Sequence, residues 1–295
     1  WWRKMYAAIS PSNNETEHAK KIIVDGKARL SFAADNDGTT RLEDLYQRDP
    51  QRILFPNSAK HDITQAVVVT TSGGLVGGDQ ISVAIKTGEN AQALVTAQAA
   101  EKIYRSNGED AVIDVSLKAG TGSWLEYLPQ ETILFEGARL RRNTHINVES
   151  GGRLLAGEII VFGRLGHGER FSRGLAHDGW EVAINDRLVW AEALHLEKNI
   201  AAVIDNPACF DGAVAAATAI YIGPDAEQHL TTALEIFDGQ KNEVLSGATF
   251  VNGILVMRWL GQDAFQLRND FGANWGAFRN KVAGLPSQLP RLWKM

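Results

Sequence analysis

The sequence predicts a mainly β fold, a body of many short strands with two helices near its C-terminal side. Three observations carry that prediction. Apolar and polar residues alternate with period two in several stretches, as in residues 111–117 and 143–148. Tight-turn dipeptides, Asp37-Gly38 and Asn185-Asp186, divide other such stretches into hairpins. Helical spacing of apolar residues is concentrated late in the chain.

Taken in order, residues 1–20 include the polar run ISPSNNETEHAK and are expected to form a flexible N-terminal segment. Residues 28–34 and 40–46 flank Asp35-Asn36-Asp37-Gly38, where Asp-Gly tolerates the positive φ of a tight turn. Residues 65–70 are β-branched, and residues 181–184 and 187–190 form a second two-residue hairpin around Asn185-Asp186. Residues 224–237 open with Pro224-Asp225 and place Leu230, Leu234 and Phe237 on one helical face. Residues 263–282 carry Phe265, Leu267, Phe271, Trp275 and Phe278 close to helical spacing, weakened by Gly272 and Gly276. The tail, 284–295, holds two prolines and reads as extended. No fixed-period repeat and no clear linker is visible, so residues 21–295 are expected to form a single unit.

Composition excludes several classes. With 295 residues, 22% charged and 44% hydrophobic, the chain is long enough for a substantial core. The formal net charge of −5 and the scattered Lys and Arg leave no basic stripe for a nucleic-acid backbone. One cysteine, Cys209, cannot form an intrachain disulfide, and no apolar run approaches the length of a membrane span. A cytoplasmic location, away from membrane, is the expectation.

Enzyme motifs fail in detail. The stretch Ser72-Gly73-Gly74-Leu75-Val76-Gly77-Gly78-Asp79 has neither dinucleotide-binding spacing nor the Lys-Ser/Thr pair of a phosphate loop. Four glycines in six positions imply instead a sharply folded or closely approached backbone. The seven histidines include no pair spaced for one helix face.

Three acids stand out because they sit where strand patterning predicts burial: Asp79, Glu131 and Glu158. An unpaired carboxylate withdrawn from water costs several kcal/mol or more, so each needs a cationic partner, a polar channel or a chemical task. Arg105, Arg139 and Arg164 are the available partners by sequence position. Alternatively the three line a shared polar path, in which oxygen ligands would hold a transition metal only weakly.

Three segments, taken together, resemble the urease accessory proteins UreD/UreH: residues 70–79 (TTSGGLVGGD), 96–106 (TAQAAEKIYRS) and 124–135 (WLEYLPQETILF). Softer matches follow at Gly157-Glu158, Gly163-Arg164, residues 168–171 and Pro290-Arg291-Leu292-Trp293. The resemblance covers roughly residues 25–295 and implies a β-helix-like, non-catalytic scaffold. It further implies bridging of apo-urease to UreF-type and UreG-type partners, and delivery of transient nickel through an internal tunnel, with no tightly bound cofactor. On that view Asp79, Glu131 and Glu158 are the tunnel-lining candidates, and Lys102, Tyr104 and Arg105 hold the surrounding strands or neutralise an acid. The partner surface would lie in residues 263–295, with Trp275, Phe278, Leu292 and Trp293 as anchors, ordinary core packing being the alternative. Two other readings stay open: a sugar hydrolase using Glu131 and Glu158, and a pure interaction module whose acids are structural.

Overall fold

The computed structural model describes residues 24–239 and 244–294. The expected flexible segment, residues 1–20, lies outside them.

In chain order the first strands are β1 (Asp25–Ala34), β2 (Thr40–Arg48), β3 (Gln51–Leu54), β4 (Thr64–Thr70), β5 (Gln80–Thr87) and β6 (Gln92–Ala97). They are followed by β7 (Glu101–Ile103), β8 (Ala111–Ala119), β9 (Trp124–Leu128), β10 (Thr132–Leu134), β11 (Arg139–Val148) and β12 (Arg153–Phe162). The last are β13 (Leu175–Ile184), β14 (Arg187–Leu196), β15 (Ala215–Ile222), β16 (Leu245–Val251) and β17 (Ile254–Gly261). The helices are α1 (Ile200–Ile204), α2 (His229–Asp238) and α3 (Ala264–Ala283).

Two sheets face each other. One runs β14-β13-β11-β8-β5-β1-β2; the other runs β16-β17-β15-β12-β9-β6-β4-β3, with β10 and β7 attached beside β12. In the first sheet β1, β5, β8, β11 and β13 are parallel, and in the second β4, β6, β9 and β12 are parallel. Between successive parallel strands of one sheet the chain visits the other sheet, so parallel neighbours need no crossover helix. The arrangement is a short β-solenoid. Strands β4, β6, β9 and β12 begin at Thr64, Gln92, Trp124 and Arg153, a spacing of roughly 30 residues that matches one solenoid coil. This structural repeat has no counterpart in residue identity, because each coil is defined by backbone pairing while its side chains and turns vary.

The expected hairpins form. β1 pairs with β2 around the Asp37-Gly38 turn, and β13 with β14 around Asn185-Asp186, both of whose residues take positive φ. The glycine stretch is approached closely, as its composition implied. The Leu75 amide donates to the Lys102 carbonyl at 2.8 Å, and the Tyr104 hydroxyl donates to the Gly73 carbonyl at 2.8 Å. Gly74 has φ +144°, and a Cβ there would stand 2.6 Å from the Lys102 carbonyl oxygen.

Two cores result. Leu30, Phe32, Val83, Ile85, Val115, Leu117 and Ile146 fill the space between the sheets. Trp259, Phe271, Trp275, Phe278 and Phe237 fill the space between the outer face of the larger sheet and α2 and α3. β12 is covered on both faces, which is why residues 154–162 read as a nearly unbroken apolar run. Helix α3 is N-capped by Asp263, whose carboxylate accepts from the Gln266 amide at 2.8 Å, and ends at Gly284 with φ +66°. The tail departs from the extended form expected of it: Arg291–Lys294 makes a 3-10 turn, driven by insertion of Trp293, whose indole donates to Thr96 Oγ1 at 3.2 Å. Helix α1 was not visible in the sequence; at five residues it is too short for a periodic signal.

α3 sits close to β12 because Gly157 leaves room for it. A Cβ at Gly157 would lie 2.8 Å from the Phe271 ring and 2.9 Å from the Trp275 ring. Gly157→Val is therefore expected to lower stability by about 1–3 kcal/mol through overpacking, read from the shift in urea midpoint.

Candidate functional site

The interior of the solenoid holds a charged cluster. Arg142 on β11, Asp178 on β13 and Glu158 on β12 all project between the sheets and are buried. Arg142 and Asp178 are register partners, while Glu158 reaches across from the opposite sheet. The Arg142 guanidinium donates through Nε to Asp178 Oδ1 at 2.9 Å and through Nη1 to Thr132 Oγ1 at 3.0 Å. Its Nη2 bridges Glu158 Oε2 and Asp178 Oδ2. The Trp180 indole donates to the other Glu158 oxygen at 3.1 Å.

One guanidinium thus faces two buried carboxylates. Burial raises the Glu158 carboxyl well above its ordinary pKa; Arg142 opposes that rise and the neighbouring Asp178 charge adds to it. Although burial works against the charge of Arg142, Asp178 and Glu158 hold its pKa above the ordinary value. Burial also pushes the nearby Tyr127 phenol up to about 12.

Two cavities meet at this cluster. The first, of about 180 Å³, runs from Ser72, Gly73 and Gly74 past Glu101, Lys102 and Tyr127 to Arg142 and Glu158. The second, of about 560 Å³, runs from Glu158, Asp178 and Trp180 to Glu192, Arg258 and Gly247, where the first and last sheet edges adjoin. Glu158 and Trp180 line both. Glu101 accepts from the Thr70 hydroxyl at 2.8 Å, and burial raises its carboxyl pKa.

The three acids singled out by the sequence are not brought together. Glu158 is in the cavities. Asp79 is buried but spends its carboxylate on backbone, accepting from the Val76 amide at 2.9 Å and the Val24 amide at 3.3 Å. Glu131 turns to Arg268, at 3.1 Å, and lines neither cavity. Glu131 and Glu158 do not share a cavity. The cationic partners also differ from those expected: Arg139 pairs with Asp110 and Arg164 with Glu169. Lys102 lines the first cavity, while Tyr104 and Arg105 line a separate groove with Arg164 and Glu169. Among the described residues no group of three or more His, Cys, Asp or Glu is placed to hold a metal ion.

The C-terminal aromatics take the core-packing alternative. Trp275, Phe278 and Trp293 are buried in the second core, and Leu292 is half-buried. Beneath them lies a second charged cluster, in which Arg279 of α3 donates to Glu126 at 2.8 Å and to Asp62 at 2.7 Å. Trp124 and Trp275 indoles donate to the same Glu126 at 2.8 and 2.7 Å. Arg268 adds a third tie, to Glu131, Gln130 and the Trp293 carbonyl.

Arg142, Asp178, Glu126 and Arg279 were not singled out by sequence reasoning. A signal for two of them existed: Arg142 falls in phase with Leu140, Thr144 and Ile146, and Asp178 with Ala176, Trp180 and Val182. A charge on the buried phase of an alternating strand marks an interior ion pair.

Comparison with known proteins agrees with this architecture and these motifs. Residues 24–294 match the UreD urease accessory protein family. The chain is 43% identical over 275 residues to the urease accessory protein UreD of Magnetococcus marinus, covering 92% of this chain and 94% of that one. It is 38% identical to its counterpart in Xanthobacter autotrophicus, covering 94% and 92%, and 40% identical to that of Rhodopseudomonas palustris, covering 87% and 88%. With a family match across nearly the whole described solenoid, the chain belongs to the UreD urease accessory protein family.

Proposed function

We propose that this protein is a non-catalytic urease maturation factor that bridges apo-urease to UreF-type and UreG-type partners and passes nickel through its interior. The observation that supports this most directly is the meeting of two cavities at the buried carboxylate of Glu158, between the glycine-rich loop and the Glu192–Arg258 edge. Carboxylate oxygens suit brief residence of a hard or borderline cation better than storage. Glu158 is the pivot of the passage: an incoming cation takes the place of its proton, while Arg142 keeps Asp178 neutralised and prevents tight binding. Glu101 and Lys102 stand at the glycine-loop mouth, and Glu192 and Arg258 at the other. In this reading Asp79 and Glu131 act structurally, shaping the loop and seating Arg268. The partner surface belongs to residues 263–294 through side chains that remain outside, notably Phe265, which is 70% exposed. The expected location is the cytoplasm; no helix among the described residues is long and apolar enough to cross a membrane.

Glu158→Gln tests the passage. The variant, co-purified with its UreF-type and UreG-type partners, is expected to assemble with apo-urease but to activate it with nickel substantially less than wild type. Normal activation would remove Glu158 from the path, and failure of the wild type to bind its UreF-type partner would overturn the bridging role. Stability gives an independent check. A carboxyl raised by folding contributes stability that is full below its unfolded value and lost as pH rises through the folded one. Glu158→Gln should therefore melt at or above the wild-type temperature near neutral pH, with the difference shrinking as pH falls toward 4.5.

A further inference from the structure

We propose that His177 and His195 form an exposed two-imidazole site for a borderline divalent transition-metal ion, such as Cu2+, Ni2+ or Zn2+, on the outer face of the seven-stranded sheet. The two residues are directly opposed in the antiparallel β13–β14 pair. Their Nδ1 atoms lie 3.2 Å apart, with the rings inclined at 67°. Metal–imidazole bonds near 2.0–2.1 Å place two cis nitrogens roughly 2.9–3.4 Å apart. The pair therefore already has the bite of a chelate.

The surroundings favour ligation through Nδ1. The outer face beside the pair is floored by Gly179 and Ala193, which are register partners and leave the ion's remaining positions open. A Cβ at Gly179 would stand 3.4 Å from His177 Nε2, so the small residue gives that ring its place. Glu197 Oε2 lies 3.8 Å from His195 Nε2. A ring that binds metal through Nδ1 carries its proton on Nε2, where a carboxylate orients it and raises its basicity. In the metal-free pair one Nδ1 holds a hydrogen that the other accepts. Binding moves that proton to Nε2 of the same ring through solvent, so both imidazoles stay neutral and no net proton is released.

Two charges bear on the site from neighbouring strands. Arg141, register partner of His177, is drawn to Asp110 at 3.2 Å, and Arg139 stands 3.7 Å from Glu197. Two protein ligands make an open site, whose other positions face solvent and accept donors from a second molecule. This site is separate from the interior cavities and does not require nickel passage through them.

The test uses the full chain with one equivalent of Cu2+ and electron paramagnetic resonance, alongside calorimetric titration with Ni2+. His177→Gln, His195→Gln and the double variant are compared with wild type, the double variant defining background binding elsewhere. Wild type minus double variant should show two equatorial nitrogen donors. Each single variant should lose one of them, with affinity falling about tenfold or more as chelation becomes single-point attachment. His145→Gln, on the same face but paired with Glu181, should bind as wild type does. A second readout is the melting temperature, which a native-state ligand raises by mass action in wild type and not in the double variant. Unchanged spectra and affinities in both single variants, or no nitrogen donors above background, would overturn the proposal.

Discussion

Arg142→Leu is expected to destabilise the protein by about 3–5 kcal/mol near neutral pH, because it leaves Glu158 and Asp178 facing each other without a cation. Arg142 is only 7% exposed, and it makes four hydrogen bonds, two to Asp178 and one each to Thr132 and Glu158. The cluster lies between the two sheets, so the loss should appear as a lower midpoint for global unfolding, by circular dichroism in urea, with an unchanged slope. Acid should shrink the penalty, since the Glu158 carboxyl is already raised by burial and gains its proton readily. Combining Arg142→Leu with Glu158→Gln and Asp178→Asn should recover much of the loss. A triple variant as unstable as the single one would mean that the side-chain shape of Arg142, not its charge, holds the sheets together.

Arg279→Leu is the second large effect, of similar size but different character. Arg279 is fully buried, and it neutralises Glu126 and Asp62 while donating to the Pro286 carbonyl at 2.6 Å. Its removal costs about 3–5 kcal/mol by the same physics of an uncompensated buried charge. Here, however, the cluster joins α3 and the following segment to the outside of the solenoid. The solenoid has its own core between the sheets. The expected result is local detachment of residues 263–294, seen as new proteolytic cleavage there and as binding of a hydrophobic dye to the uncovered second core. A single cooperative loss of the whole fold, at the same urea concentration for both probes, would show instead that α3 and the solenoid are one unit.

These two clusters also show how far the sequence could be read. Local patterning was legible. The alternation in 143–148 and 111–117, the two hairpin turns, and the helical spacing of 263–282 all correspond to observed elements. Charges in the buried phase of β11 and β13 were legible too, once each strand's inward face is assigned. The pairing of Arg279 with Glu126 was not, because the partners are 153 residues apart and no local rule connects them. Trp275 and Phe278 illustrate the same limit: aromatic residues on a helix suit a partner surface or a core equally well until the sheet beneath them is known.

By itself, then, the sequence determined the β-rich class, the late helices, the close approach of the glycine loop and, through its motifs, the UreD family. The tertiary structure alone decided that the strands coil between two sheets, that Glu158 and not Asp79 or Glu131 lies where the cavities meet, and that His177 opposes His195. The physical reason is one of range. Turn chemistry and hydrophobic period act over a few residues, whereas charge balance, cavities and cross-strand ligands depend on which distant strands share a wall.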